Sequence, residues 1–237
     1  MNKKILLISY NFKPEPTGIG KYNGEMIEWL VKNGYDCSVI TTYPYYPFWK
    51  VQEPYHSRRL LYKKEQQNNA GAELAIYRCP QYVPAVPSGI KRIVQEISFF
   101  FSASIRLIPL LFTKKIDVVI TVAPSFLIGM LGILTKKVAK SKFLYHIQDL
   151  QIEAARDLKM INSNRVINTL FRLEKYIFKN ADWVSSISEG MVNRIQSKAK
   201  KEVLFFPNWA DTSVFYPIDE KPRLKKEFGF ASSDKII

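Results

Sequence analysis

Ser9-Tyr-Asn-Phe-Lys-Pro-Glu-Pro-Thr-Gly-Ile-Gly-Lys-Tyr22 stands between two apolar segments. Ile5 to Ile8 precede it as an unbroken aliphatic run of strand type, and Met26, Ile27, Trp29, Leu30 and Val31 follow in an amphipathic, helical pattern. The order reads as strand, long loop, helix. Pro14 and Pro16 stiffen the loop, while Gly18 and Gly20 admit backbone angles closed to other residues. A loop that enters a helix presents unpaired N–H groups and the positive end of the helix dipole, so phosphate suits it. An ordinary strand-to-helix connection is the plainer alternative.

Working outward, Asn33-Gly34 stops the helix and Asp36 to Thr42 forms a second strand, completing a βαβ unit. Tyr43 to Gln81 is irregular apart from a strand over Leu74–Arg78, and its aromatic start, Tyr43 to Trp49, is followed by Arg58, Arg59, Lys63 and Lys64. A helix from Ser88 is expected to fail near Pro109. Then come a strand over Asp117–Val122, a helix over Phe126–Leu134, a strand over Lys142–Ile147, a helix over Arg165–Lys179, a strand over Asp182–Ile187, a helix from Ser188 and a strand over Val203–Phe206. Alternation of this kind predicts an α/β fold, a Rossmann-like doubly wound parallel sheet with helices on both faces. Residues 1–220 read as one domain, and 221–237 as a linker and the truncated start of another.

The 47% hydrophobic content suffices for a sizeable core, and Lys and Arg outnumber Asp and Glu by 35 to 21, a net charge of +14. That surplus favours anionic partners: nucleic acid, acidic lipid or phosphorylated small molecules. Cys37 and Cys79 have no metal-type spacing and suit a reducing compartment. The apolar N-terminus meets Asn11 and Lys13 too soon for a signal peptide. No apolar run is expected to reach the ~20 residues of a spanning helix.

Ligands of open parallel sheets bind beyond the carboxyl ends of the strands. Three stretches fall there: the opening loop, His146 to Glu153, and Pro207 to Asp211. His146 can donate and accept at neutral pH, or sit in the core held by backbone bonds. Asp149 can accept hydroxyl bonds or cap the next segment, and Asn208 and Asp211 fit an asparagine-initiated turn equally well. Several chemistries drop out. There is no GxxxxGK[ST] loop, no GxSxG elbow, no HExxH and no Asp-x-Asp, and Asn23 occupies the third glycine position of a dinucleotide fingerprint. No metal is expected.

The motifs KILLISYNFKPEPTGIGKYNGEMIEWL, HIQDLQIEAA, ADWVSSISEGM and FFPNWAD, in this order, resemble the N-terminal half of a retaining GT-B glycosyltransferase of the family-4 type. The resemblance covers essentially the whole chain and is strongest to the colanic acid and O-antigen branch. Trp209 stands where glycine is usual in the wider family, as it does in that branch. The resemblance implies an acceptor-side domain facing a separate donor domain across a cleft. Thr17, Gly18, Ile19 and Gly20 would approach the donor diphosphate, and His146 would lie near the transferred sugar; His146 and Asp149 are the catalytic candidates. Glu15, Tyr45, Tyr46 and Trp49 are the acceptor-side candidates, and Glu189, Asn208 and Asp211 the cleft rim. No cofactor is implied: the substrate is itself a UDP- or GDP-linked nucleotide-sugar. The acceptor would be a saccharide on a polyprenyl diphosphate, at the inner face of the cell membrane. The chain alone, without a donor domain, is expected to be inactive.

The same basic surplus then serves an anionic membrane surface. Lys91, Arg92, Phe99 and Phe100 are the candidate contacts on the helix from Ser88, against the alternative that this helix simply packs on the sheet. The protein would be cytoplasmic and peripheral. Two rivals are weaker. An epimerase needs a tight GxxGxxG loop, which does not occur, and a Tyr-x-x-x-Lys pair, a spacing that Arg172-Leu-Glu-Lys-Tyr176 does not offer. A basic membrane or nucleic-acid-binding module without catalysis would use the charge, but the cations are spread along the chain and no nucleic-acid motif is present.

Overall fold

The computed structural model describes residues 2–69, 71–125, 127–157, 159, 163–217, 224–231 and 233–235. Phe126, the expected boundary at residue 220 and the end of the expected closing strand, Ile236 and Ile237, lie outside them. The strands are β1 (Lys4–Ser9), β2 (Asp36–Thr42), β3 (Lys63–Asn69), β4 (Ala72–Cys79), β5 (Val118–Ala123), β6 (Lys142–Ile147), β7 (Trp183–Ser186) and β8 (Leu204–Phe205). The helices are α1 (Gly18–Lys32), α2 (Gly89–Thr113), α3 (Ile128–Ala139), α4 (Gln151–Asp157), α5 (Asn164–Asn180), α6 (Glu189–Ala199) and α7 (Leu224–Glu227). One eight-stranded sheet runs in the order β3-β4-β2-β1-β5-β6-β7-β8. All neighbours are parallel except β3 and β4. The chain divides into two compact units, Met1–Pro207 and Asn208–Ile237.

β1 is central because its side chains are apolar on both faces, as a strand covered by helices on each side requires. Ile5 and Leu7 share a core with Ile27 and Val31 of α1, whereas Leu6 and Ile8 share one with Phe99, Ala103 and Leu107 of α2 and Leu131 of α3. Each of the aliphatic and Phe side chains larger than alanine contributes about 1.5–3 kcal/mol when fully buried. Leu7 fixes the register, opposite Val39 on one side and Ile120 on the other.

Three expectations need correction. Lys63 to Asn69 is not irregular: it folds back through Gly71 as the antiparallel edge strand β3. Its sequence, Lys-Lys-Glu-Gln-Gln-Asn-Asn, shows no apolar alternation because an edge strand gains from charge, which deters pairing with other chains. Second, α2 continues through Pro109 to Thr113. The ring removes the N–H that would reach the Ile105 carbonyl, but Ile105 lies on the exposed face of the helix, where losing one backbone bond costs less than in the core. Buried Leu107, Leu110 and Leu111 hold the last turn down, and Thr113 Oγ1 donates to the Pro109 carbonyl at 2.9 Å. Third, α2 does have the length and apolar composition of a membrane span. Phe99, Ala103 and Leu107 instead seat one face of it in the core of the sheet.

Candidate functional site at the carboxyl edge of the sheet

The loops leaving β1, β2, β5 and β6 surround a cavity of about 300 Å³, closed on one side by α2. Tyr10, Asn11, Gly18 and Ile19 line it from the opening loop; Tyr45, Tyr46 and Trp49 come from the aromatic loop, and Arg92, Gln95 and Glu96 from α2. Pro124, Ser125, Asp149 and Gln151 complete it. A second cavity, about 250 Å³, opens at the opposite edge, where Lys114 pairs with Glu73 at 3.3 Å and Lys115 with Asp117 at 3.0 Å. Lys114 and Lys115 thus already have partners, and the cavity lies at the amino ends of the strands, away from the edge where parallel sheets bind ligands.

α1 begins at Gly18, whose φ of +59° lies in the left-handed region that glycine enters without strain. Thr17 is extended and its hydroxyl makes no capping bond, so the first N–H groups of the helix remain available. Gly20 is required by contact: a Cβ there would stand 2.7 Å from Glu15 Cβ and Oε2.

Glu15 does not face an acceptor. Its carboxylate is buried and accepts from the backbone N–H groups of Tyr45 and Tyr46, each at 3.0 Å, and from Asn11 Nδ2 at 2.8 Å. Burial pushes its pKa up, opposed by the Tyr46 and Tyr45 N–H groups. Glu15 therefore latches the opening loop to the aromatic loop. Arg78, on β4 and only 2% exposed, completes the clasp by donating to the carbonyls of Lys13 at 2.6 Å and Thr42 at 3.2 Å. In the latched loop Tyr45 and Tyr46 stand edge-on to Trp49, over which the Arg92 guanidinium lies at 5.1 Å. Trp49 has φ +52°, a strained value for a bulky residue and one that concentrates at functional sites.

His146 lies near the end of β6, only 4% exposed, with Nδ1 2.9 Å from Ser185 Oγ and its ring against Phe206. It does not line the cavity. Burial lowers its pKa to about 4, so the ring is neutral at neutral pH. The unfolded chain takes up this proton near the ordinary His value, so stability present above about pH 6.5 is lost as pH falls towards about 4. Between pH 7 and pH 5 the loss amounts to about 2 kcal/mol. Glu96, whose pKa burial raises to about 7, changes stability in the opposite sense over this interval, so urea titrations should show the increment as the difference between the native chain and a His146→Asn variant: from pH 7 to pH 5 the native chain should lose about 2 kcal/mol relative to the variant.

Of the other expected residues, Glu189 is exposed in the first turn of α6, beside the N-cap Ser188, whose Oγ accepts from Met191 N at 3.3 Å. In the second unit, Asp211 Oδ1 accepts from Ser213 N at 2.9 Å and Oγ at 2.6 Å, the asparagine-type turn that was the alternative reading, and Asn208 belongs to the same unit. Phe99 is fully buried against Tyr10, so it cannot touch a membrane; Phe100 is half-buried and Lys91 exposed.

The family model described as "Glycosyl transferase 4-like domain" matches residues 17–209, from the glycine loop to Trp209. The chain belongs to this glycosyltransferase family. It is 36% identical over 243 residues to the putative colanic acid biosynthesis glycosyl transferase WcaI of Escherichia coli K12, covering 99% of this chain and 57% of that protein. Among solved structures it resembles sucrose-phosphate synthase from Thermosynechococcus elongatus, with a TM-score of 0.66 at 15% identity, over 98% of this chain and 54% of that one. It also resembles the catalytic domain of starch synthase IV from Arabidopsis thaliana bound to ADP and acarbose, with a TM-score of 0.59 at 13% identity, over 99% and 61%. The fold is thus that of the GT-B glycosyltransferases, and the chain spans between 54% and 61% of the length of these proteins.

Within this glycosyl transferase 4-like domain the structure brings Gly18, Ile19, Tyr45, Tyr46, Trp49, Arg92 and Asp149 to one cavity. Sequence reasoning missed Glu96. It is half-buried on α2, accepts from Gln151 Nε2 at 2.5 Å and Ser125 Oγ at 3.5 Å, and burial raises its pKa to about 7. A carboxylate four residues after Arg92 in an apolar helix was the available signal.

Proposed function

We propose that the chain is the acceptor-side half of an enzyme that moves a sugar from a UDP- or GDP-linked donor to a lipid-linked saccharide in bacterial surface polysaccharide synthesis, with retention at the anomeric carbon. The observation that carries this reading is the carboxyl-edge cavity, which has the N-terminus of α1 on one wall and carboxylates with aromatic rings on another. Free N–H groups there suit the donor diphosphate. The Escherichia coli relative's role in colanic acid biosynthesis supports a polysaccharide product. Catalysis in such an arrangement is positioning of the acceptor and stabilisation of the departing diphosphate. In this reading the donor sugar and base are held by a second domain, and the chain spans 54% to 61% of the length of the proteins it matches. Offered labelled UDP- and GDP-sugars with membranes bearing lipid-linked saccharides, the 237-residue chain should transfer nothing, and a form carrying a donor domain should label the lipid fraction with retained anomeric configuration. Transfer by the chain alone, or inversion, contradicts the reading.

A cytoplasmic, peripheral position on the membrane is supported by the outer face of α2. Ile90, Val94, Ile97, Phe101, Ile105, Ile108 and Phe112 recur at helical spacing and all are exposed. Exposed Leu60 and Leu61 extend that surface, joined to α2 through the Tyr62 hydroxyl, which donates to the Ser102 carbonyl at 3.1 Å. Arg58, Arg59, Lys63 and Lys64 flank them, as an interfacial surface meeting acidic headgroups requires. Ile97→Glu together with Phe101→Glu should abolish co-sedimentation with anionic vesicles, while reversing the charges of Lys91 and Arg92 should weaken it and reduce its salt dependence. Equal binding by all three proteins removes α2 as the anchor.

A further inference from the structure

Four elements converge on Glu96. Gln151 from the start of α4 and Ser125 from the β5–α3 loop hold its carboxylate, Tyr10 follows β1, and Gln95 is its neighbour on α2. Two polar atoms of the cavity-lining residues, the Tyr10 hydroxyl and Gln151 Oε1, are buried without a hydrogen-bond partner. An unpaired buried polar group costs about 1–3 kcal/mol, so a small side-chain shift that brings it to a ligand in the cavity recovers part of that cost. The set holds donors and acceptors together, as a polyhydroxylated ring needs. Tyr45, Tyr46 and Trp49 offer the aromatic faces on which the C–H side of a sugar packs.

We propose that Glu96 is the acceptor-gripping residue of this enzyme: its carboxylate, oriented by Gln151 and Ser125, accepts hydrogen bonds from hydroxyls of the acceptor saccharide. This rests on the transferase reading and names the group that selects the acceptor within it. A phosphate is the poorer occupant of this wall, because Glu96 and Asp149 both line the cavity while its one lining cation, Arg92, is stacked on Trp49. A volume of about 300 Å³ lies at the lower end of small-molecule pockets, roughly 300–1,000 Å³, and suits one sugar ring.

The carboxylate form is the better acceptor, so the grip strengthens as Glu96 ionises. The groups facing it are Arg92 on its own helix, Tyr10 beyond β1, Tyr45 in the aromatic loop and Tyr145 on β6, and Asp149 lines the same cavity. All three tyrosines are held neutral by burial, which pushes their pKa values up. Glu96 itself ionises around pH 7. With ionised fractions of roughly one tenth at pH 6 and nine tenths at pH 8, affinity should rise about tenfold between them.

The test titrates the 237-residue chain, labelled with ¹⁵N and with ¹³C at glutamate carboxyl carbons, with methyl glucoside and methyl galactoside. At least one glycoside should shift the Glu96 carboxyl and the Gln151 side-chain amide, and bind about tenfold more tightly at pH 8 than at pH 6. Glu96→Gln should weaken binding about tenfold at pH 8 and flatten the pH dependence. Binding independent of pH in the native chain, equal binding by Glu96→Gln, shifts confined to other surfaces, or no glycoside binding overturns the proposal. The native pH series decides the matter even if the variant fails to fold. Loss of this proposal leaves labelled transfer by the form carrying a donor domain untouched, and absence of transfer by that form with intact glycoside binding overturns only the transferase reading.

Discussion

Replacing Arg78 by methionine should lower the stability of the chain by about 3–5 kcal/mol, the cost of breaking a buried charged network by removing one partner. The guanidinium lies between the rings of Phe12 and Tyr55, at 6.0 and 5.2 Å, and holds the carbonyls of Lys13 and Thr42 with the Glu65 carboxylate at 3.4 Å. Methionine fills comparable space but strands the buried Thr42 carbonyl and the half-buried Lys13 carbonyl, and leaves Glu65 with Lys63 at 3.1 Å as its remaining ion pair. Lysine should not rescue the loss, since one ammonium cannot reach carbonyls on two loops as a planar fork does. Denaturant unfolding of the three proteins measures it, and a loss below about 1 kcal/mol for Arg78→Met would show that the clasp is incidental.

Glu15→Ala should cost about 2–5 kcal/mol, because it leaves the Tyr45 and Tyr46 N–H groups and the Asn11 amide without their acceptor, at roughly 1–3 kcal/mol for each buried group left unpaired. Glutamine in its place should cost less, because its carbonyl can still accept from one or two of them. Arg78 and Glu15 brace the same loops, so the double variant should lose less than the two single losses combined. Strict additivity would mean that the two latches act independently.

Much of the fold was legible because its central strands are buried on both faces. Ile5 to Ile8 cannot be mistaken for an amphipathic helix, and the shift to helical periodicity after Gly20 marks the βα turn. β3 was illegible for the opposite reason: an edge strand with one neighbour is allowed to be polar. Pro109 misled because its cost depends on which face the freed carbonyl meets, which sequence alone does not give. At the site, Gly18 and Ile19 were legible as a loop entering a helix, and Tyr45, Tyr46 and Trp49 as an aromatic cluster. Glu15 reads in the sequence as an acceptor-side residue because the backbone N–H groups that bury it lie 30 and 31 residues away. Glu96 was hidden in the same way: Gln151, its firmest partner, is 55 residues distant, and only the stacking of strands brings them together.

The central claim is that the carboxyl edge of the sheet, between α1 and α2, is the ligand face of a glycosyltransferase domain. It is tested most directly by amide spectra of the labelled chain during titration with UDP- and GDP-sugars to tens of millimolar. The account predicts weak, saturable shifts centred on Gly18, Ile19 and Gly20 and spreading to the aromatic loop. Shifts centred instead on Lys4, Asp36 and Lys114 at the opposite edge, or none at all, would contradict it.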